Sequence, residues 1–157
     1  MITSRLDYCN SLYYNMSITQ FKKLQSLQNA TARMVTLSRK FDPITPILYK
    51  LHWLPIVERC EFKVLLTIFK IVNNKAPAYL NELVSVKHPL VSTMFTQAPS
   101  LAYPPKKSKN KFYGDRIFGQ YAPTLWNSLP PQIRSETNID AFKSTIKTIL
   151  FKRHFVL

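Results

Sequence analysis

Apolar residues recur at helical spacing over most of the chain, and no run of alternating residues is long enough to argue for a strand. The clearest helix is predicted over 18–36. At about 100° per residue, Phe21, Leu24, Leu27, Thr31, Met34 and Val35 gather on one arc, with Lys22, Ser26, Asn29 and Arg33 opposite. Ser17 followed by Gln20 reads as a capping box. Upstream, Leu6, Leu12, Tyr13 and Tyr14 have few polar neighbours to face water, as in a segment cut from something larger. Thr45 as N-cap and Pro46 in the first helical position predict a short helix over 47–53, ended before Pro55. The next helix, 56–72, is apolar around most of its circumference, which predicts a central element. Glu58 and Glu61 fall in its first turns, where the helix dipole favours negative charge.

Asn73 to Pro77 end that helix, and a short one is expected over 77–84. From 85 to 111 the pattern is lost among prolines and lysines, which reads as an extended connector. Phe118, Tyr121, Leu125, Trp126 and Leu129 predict a short helix interrupted by Pro123 and stopped by Pro130 and Pro131. A last helix is expected from Thr137 or Asn138, with Asp140 in the capping position, to about Lys152. The expected class is mostly α: a small irregular helical bundle with a Pro/Lys-rich connector and a short C-terminal helical unit. The expected divisions are a helical region over 1–85, a basic connector over 86–111, and a helical unit over 112–157 packing on the first.

Charge changes the picture. The 157 residues carry 22 Lys and Arg against 8 Asp and Glu, a net +14. The excess is spread evenly: residues 1–78 and 79–157 each hold 11 basic and 4 acidic side chains. Such a chain repels itself, so a polyanionic partner is the natural expectation. Only Gly114 and Gly119 are glycine, which excludes glycine-rich phosphate loops and dinucleotide fingerprints. Cys9 and Cys60 with three scattered histidines cannot make a four-ligand zinc site, and they read as buried free thiols rather than a bridge. There is no signal-peptide core and no stretch of about 18 apolar residues. The reading is an intracellular, soluble protein of the nucleus or cytoplasm with no membrane partner; Lys106–Lys111 is a weak import-like run.

Candidate chemistry is sparse. Asp7, Asp42, Asp115 and Asp140 are isolated, so nothing offers the paired carboxylates of two-metal chemistry. Glu58 and Glu61 read as capping and ion-pairing groups, and His52 beside Trp53 as a packed histidine without a nucleophile to serve. No catalytic residue, metal ligand or cofactor is expected within this chain. Phosphate binding has more support. Lys22, Asn29 and Arg33 sit at helical spacing, and Arg39 and Lys40 follow the helix end. Arg59 and Lys63, with Lys70, make a second stripe, and Lys106, Lys107, Lys109 and Lys111 a third. No zinc finger or RNP motif offers base readout. The aromatic residues read as core rather than as stacking platforms.

Six strings then form one series. They are Ser4-Arg5-Leu6-Asp7-Tyr8-Cys9-Asn10; Leu24-Gln25-x-x-Gln28-Asn29-Ala30-x-Ala32-Arg33; and Leu51-His52-Trp53-Leu54-Pro55 with Arg59. Tyr113-Gly114-Asp115-Arg116, then Ala122-Pro123-x-Leu125-Trp126-Asn127-Ser128-Leu129-Pro130, and Phe142-Lys143 with Leu150-Phe151 complete it. In this order and spacing the chain resembles the C-terminal, thumb and post-thumb region of reverse transcriptases from LINE-type non-LTR retrotransposons of the jockey and chicken-repeat kind. The resemblance implies a truncated, non-catalytic segment of an RNA-directed DNA polymerase. The palm Asp-Asp pair, its magnesium and the endonuclease residues would belong elsewhere in the parent polyprotein. It implies that the first helix grips template–primer during target-primed reverse transcription through Lys22, Asn29 and Arg33, with RNA or an RNA–DNA hybrid as partner and the upstream palm as another. Two rival expectations stand beside it. One is a free-standing, domesticated helical module that binds an acidic protein; the other is a decayed reading frame without selected function.

Overall fold

A computed structural model of the chain describes residues 16–87, 98–103 and 118–155. Of these, 67% are helical, in seven helices beside one two-stranded sheet, so the chain is mostly α as its periodicity requires. In chain order the elements are α1 (Ile18–Thr36), α2 (Ile44–Lys50), α3 (Ile56–Val72), α4 (Ala78–Asn81), β1 (Val86–Lys87), β2 (Ser100–Leu101), α5 (Phe118–Asn127), α6 (Pro131–Arg134) and α7 (Ile139–Phe155). Two compact units result. The first takes residues 1–62 and 147–157, the second 63–146, so α3 and α7 each contribute to both. Most of the expected connector, and the apolar Leu6–Tyr14 segment, lie outside the described residues. Within the connector's described part, Val86 pairs with Leu101 and Lys87 with Ser100 in an antiparallel ladder that periodicity did not signal. Two residues per strand are too few to show an alternation.

In the first unit, Ala32, Ile47 and Leu48 form a buried cluster against which Ile44, Leu51, Trp53 and Phe155 pack. Tyr49, His52, Phe151 and Phe155 form an aromatic group; His52 stacks on Phe151 with centroids 5.6 Å apart. Glu58 lies 3.0 Å from Nδ1 of His154, and Glu61 pairs with Arg153. Cys60 is buried and unbridged, and Cys9 lies outside the described residues.

In the second unit, Trp126, Phe142 and Phe69 make a fully buried stack, with Phe69 and Phe142 centroids 4.3 Å apart. Truncating a core aromatic of this kind costs about 3–5 kcal/mol. Helix α5 keeps Pro123 inside it rather than being interrupted there. Pro123 is the sixth residue, so only one intrahelical donor beyond the first turn is lost. Gly119 is needed in that helix: a Cβ would stand 2.8 Å from the backbone oxygen of Leu83.

Helix ends differ from expectation in instructive ways. The capping box at Ser17 does not form; the Ser17 hydroxyl bonds the Gln20 side chain at 3.1 Å, while the Ser17 carbonyl accepts the Gln20 and Phe21 N–H groups. Helix α2 begins at Ile44 behind Pro43, not behind Thr45, and ends at Lys50. Pro46 is accommodated because first-turn N–H groups have no intrahelical acceptor. The segment expected to be helical over 77–84 is helical only over Ala78–Asn81. Asn138, rather than Asp140, caps α7: its Oδ1 accepts the Asp140 N–H at 2.9 Å, leaving Asp140 to pair with Lys143.

Helices α1, α2 and α3 are followed by Leu37, His52 and Asn74, all at φ 53°. In each case the next N–H returns to a carbonyl five residues back: Ser38 to Arg33, Trp53 to Leu48 and Lys75 to Lys70. This is the Schellman stop, normally built on glycine.

Candidate nucleic-acid interface

The buried face of α1 does not coincide with its apolar arc. The buried residues of this helix are Gln28 and Ala32, whereas Leu27, Met34 and Val35 are exposed. The core face is turned by about a quarter of the circumference from the apolar arc, and it runs through the glutamines. Gln28 Nε2 donates to the Leu54 carbonyl at 2.9 Å, and Gln25 Oε1 accepts the Ile56 N–H at 3.0 Å. Gln25 Nε2 is shared between Gln28 Oε1 at 3.0 Å and Asn29 Oδ1 at 2.8 Å. The reason is local. The chain turns from the left-handed His52 through Trp53, Leu54 and Pro55 into α3, and leaves a carbonyl and a helix N-terminal N–H without partners nearby. Burying such groups unpaired costs about 1–3 kcal/mol each, the same size as the burial of one aliphatic side chain. The second and third strings of the series, each weak alone, are thus joined in space by the Gln28–Leu54 hydrogen bond, with the Gln25–Ile56 bond just beyond.

The fifth string is tied down in the same manner. Trp126 Nε1 donates to the Pro99 carbonyl at 2.9 Å. Asn127 grips β2 from both sides: its Oδ1 accepts the Leu101 N–H and its Nδ2 donates to the Leu101 carbonyl, each at 3.0 Å. Arg134 adds a bond to the Pro99 carbonyl at 3.3 Å. These polar side chains serve backbone groups.

The expected phosphate ligands are distributed unevenly. Lys22 is exposed and Asn29 half-buried; both line a groove of about 450 Å³ in the first unit. Glu58 and His154 line the same groove, and Glu58 Oε2 is buried there without a hydrogen-bond partner. A carboxylate there works against a phosphate, so Lys22 is useful on the rim rather than in the groove. Arg33 and Lys40 line a second, shallower groove. Arg33 is half-buried, and its Nη2 donates to the Asp42 carbonyl at 3.1 Å. Arg39 and Lys40 are exposed; Lys40 Nζ lies 5.8 Å from the Phe41 ring centroid. Arg59 and Lys63 are half-buried on α3 and line neither groove. Lys106, Lys107, Lys109 and Lys111 lie outside the described residues.

Residues 16–41 hold Lys22, Lys23, Arg33, Arg39 and Lys40 and not one carboxylate. The next acid, Asp42, already accepts the Arg39 N–H at 2.7 Å. Among the described residues, no group of three His, Cys, Asp or Glu is placed to hold a metal, and no helix is long and apolar enough to cross a membrane. Comparison with protein-family models, curated proteins and solved structures gave no match to this chain.

Proposed function

We propose that this chain is a non-catalytic, nucleic-acid-gripping segment of the kind found in the thumb and post-thumb region of LINE-type reverse transcriptases. It would hold an RNA or an RNA–DNA hybrid by its phosphates while the chemistry takes place on a palm elsewhere. The carrying observation is the cation-only stretch over 16–41, with Lys22, Arg39 and Lys40 exposed. Phosphates need point charges at loose spacing, not a pocket, and each one neutralised releases condensed counterions. Arg33 takes part with the donors left by its bond to Asp42. Asn29 takes part through its Nδ2 donors, since Gln25 occupies only its Oδ1.

The test is a salt titration of affinity for a labelled RNA–DNA hybrid by fluorescence anisotropy. Four contacting cations give a slope of log K against log salt of about −3 to −4. Charge reversal of Lys22 or Lys40 weakens binding for every sequence alike and flattens the slope by about one. Affinity that does not change with salt, or that survives both reversals, removes the proposal.

A further inference from the structure

The outward face of α1 carries a feature that phosphate binding does not use. Leu27, Met34, Leu37 and Phe41 are 48%, 73%, 92% and 91% exposed. Leu27, Ala30 and Met34 are spaced three and four residues apart on α1, the interval of a narrow helix–helix seam, and Leu37 and Phe41 follow beyond the helix end, with Leu37 beside Met34 in one groove. Leu37 is also held in the left-handed region, a conformation that costs a branched side chain about 1–2 kcal/mol. Beside the seam, Arg33 and Lys40 line a shallow groove whose floor includes Ala30, Met34 and Leu37. Arg33 Nε there is buried and has no acceptor.

We propose that this face docks an amphipathic helix of another protein, apolar along one seam and carrying carboxylates beside it. Charge complementarity selects that occupant. Arg33 and Lys40 line the groove beside the seam, and no acid lies between 16 and 41 to neutralise them. A second copy would bring the same cations and the same +14 to the contact. A nucleic acid satisfies the cations but gives nothing to leucine, methionine and phenylalanine. An anionic bilayer rewards a broad, uninterrupted apolar face, and Lys23 breaks this one on the line of Leu27 and Met34.

The probe is a synthetic 21-residue helix with leucines at the seam positions and glutamates flanking them, fluorescein-labelled and titrated with the full chain. The proposal expects saturable binding, absent for the same helix with lysine flanks. It expects a loss of about tenfold or more in the Met34→Ser/Leu37→Ser variant and in Lys40→Glu. Both seam residues are exposed, so the double variant keeps its helical circular dichroism and its affinity for the RNA–DNA hybrid. That separates failure of the seam from failure of the phosphate grip. Each of these results overturns the proposal: no binding of the glutamate-flanked helix; equal binding by the serine variant; serine-sensitive binding to phosphatidylserine–phosphatidylcholine vesicles instead; or serine-sensitive self-association. Binding that requires deletion of residues 1–15 would assign the seam to that segment and overturns it equally.

Discussion

Leu37 and His52 occupy the same backbone conformation for different returns. Both follow a helix at φ 53°, where a Cβ crowds the carbonyl. His52 recovers part of the cost through its stack on Phe151, while Leu37 faces solvent. Leu37→Gly is therefore expected to raise stability by about 0.5–1 kcal/mol, after the unfolded-state entropy of glycine is subtracted. His52→Gly is expected to gain nothing or to lose. Thermal unfolding of the two variants side by side checks the difference in sign. Leu37→Gly should also weaken docking of the acidic helix, separating a residue kept for contact from one kept for packing. At Gly119 the direction reverses. The added methyl of Gly119→Ala meets a backbone oxygen that no rotamer change can move, so a loss of about 1–3 kcal/mol is expected. Denaturant titration should show a lower midpoint at an unchanged m-value.

At the scale of elements, side-chain amides do work usually left to backbone or caps. Gln25 supplies the acceptor that the first N–H of α3 lacks, and Gln28 the donor for the carbonyl of Leu54. Gln25→Met and Gln28→Met are each expected to cost about 1–3 kcal/mol. Because the two amides bond each other, the double variant should cost measurably less than the sum. Strict additivity would show that the network is not cooperative. Asn127→Ala removes both bonds to Leu101 and is expected to cost a similar amount. Hydrogen exchange at Leu101 should rise more than exchange in α7, since the loss is local to β2. The sequence made α1 and α3 legible to the residue, because α1 is long and periodic and α3 is a long apolar run bounded by Pro55 and the Asn73–Pro77 stop. It did not make the buried face of α1 legible. Hydrophobicity alone chooses the arc with Leu27 and Met34, whereas the fold chooses the arc that satisfies two stranded backbone groups.

For the whole molecule, +14 acts in two opposite directions. Like charges on one folded chain repel, and salt screens them within about 8–10 Å. The melting temperature is therefore expected to rise as salt is raised from low to physiological levels. Over the same range, affinity for a hybrid should fall. Scanning calorimetry and anisotropy on the same samples test that pair of slopes, and parallel slopes would contradict the electrostatic account of either one. A single cooperative calorimetric transition, or one for each compact unit, would count against the decayed-frame reading, which expects a chain without specific packing.

The sequence by itself determined the helical class, the extents of the two clearest helices, the even spread of positive charge and the lack of paired carboxylates. These follow from periodicity and composition, which are local or additive. Only the tertiary structure decided which arc of α1 is buried and that Trp126 and Asn127 hold β2. Each of those depends on where an unpaired N–H or carbonyl from a distant part of the chain arrives. A hydrogen bond between residues 28 and 54, or between 127 and 101, leaves no periodic trace in either segment.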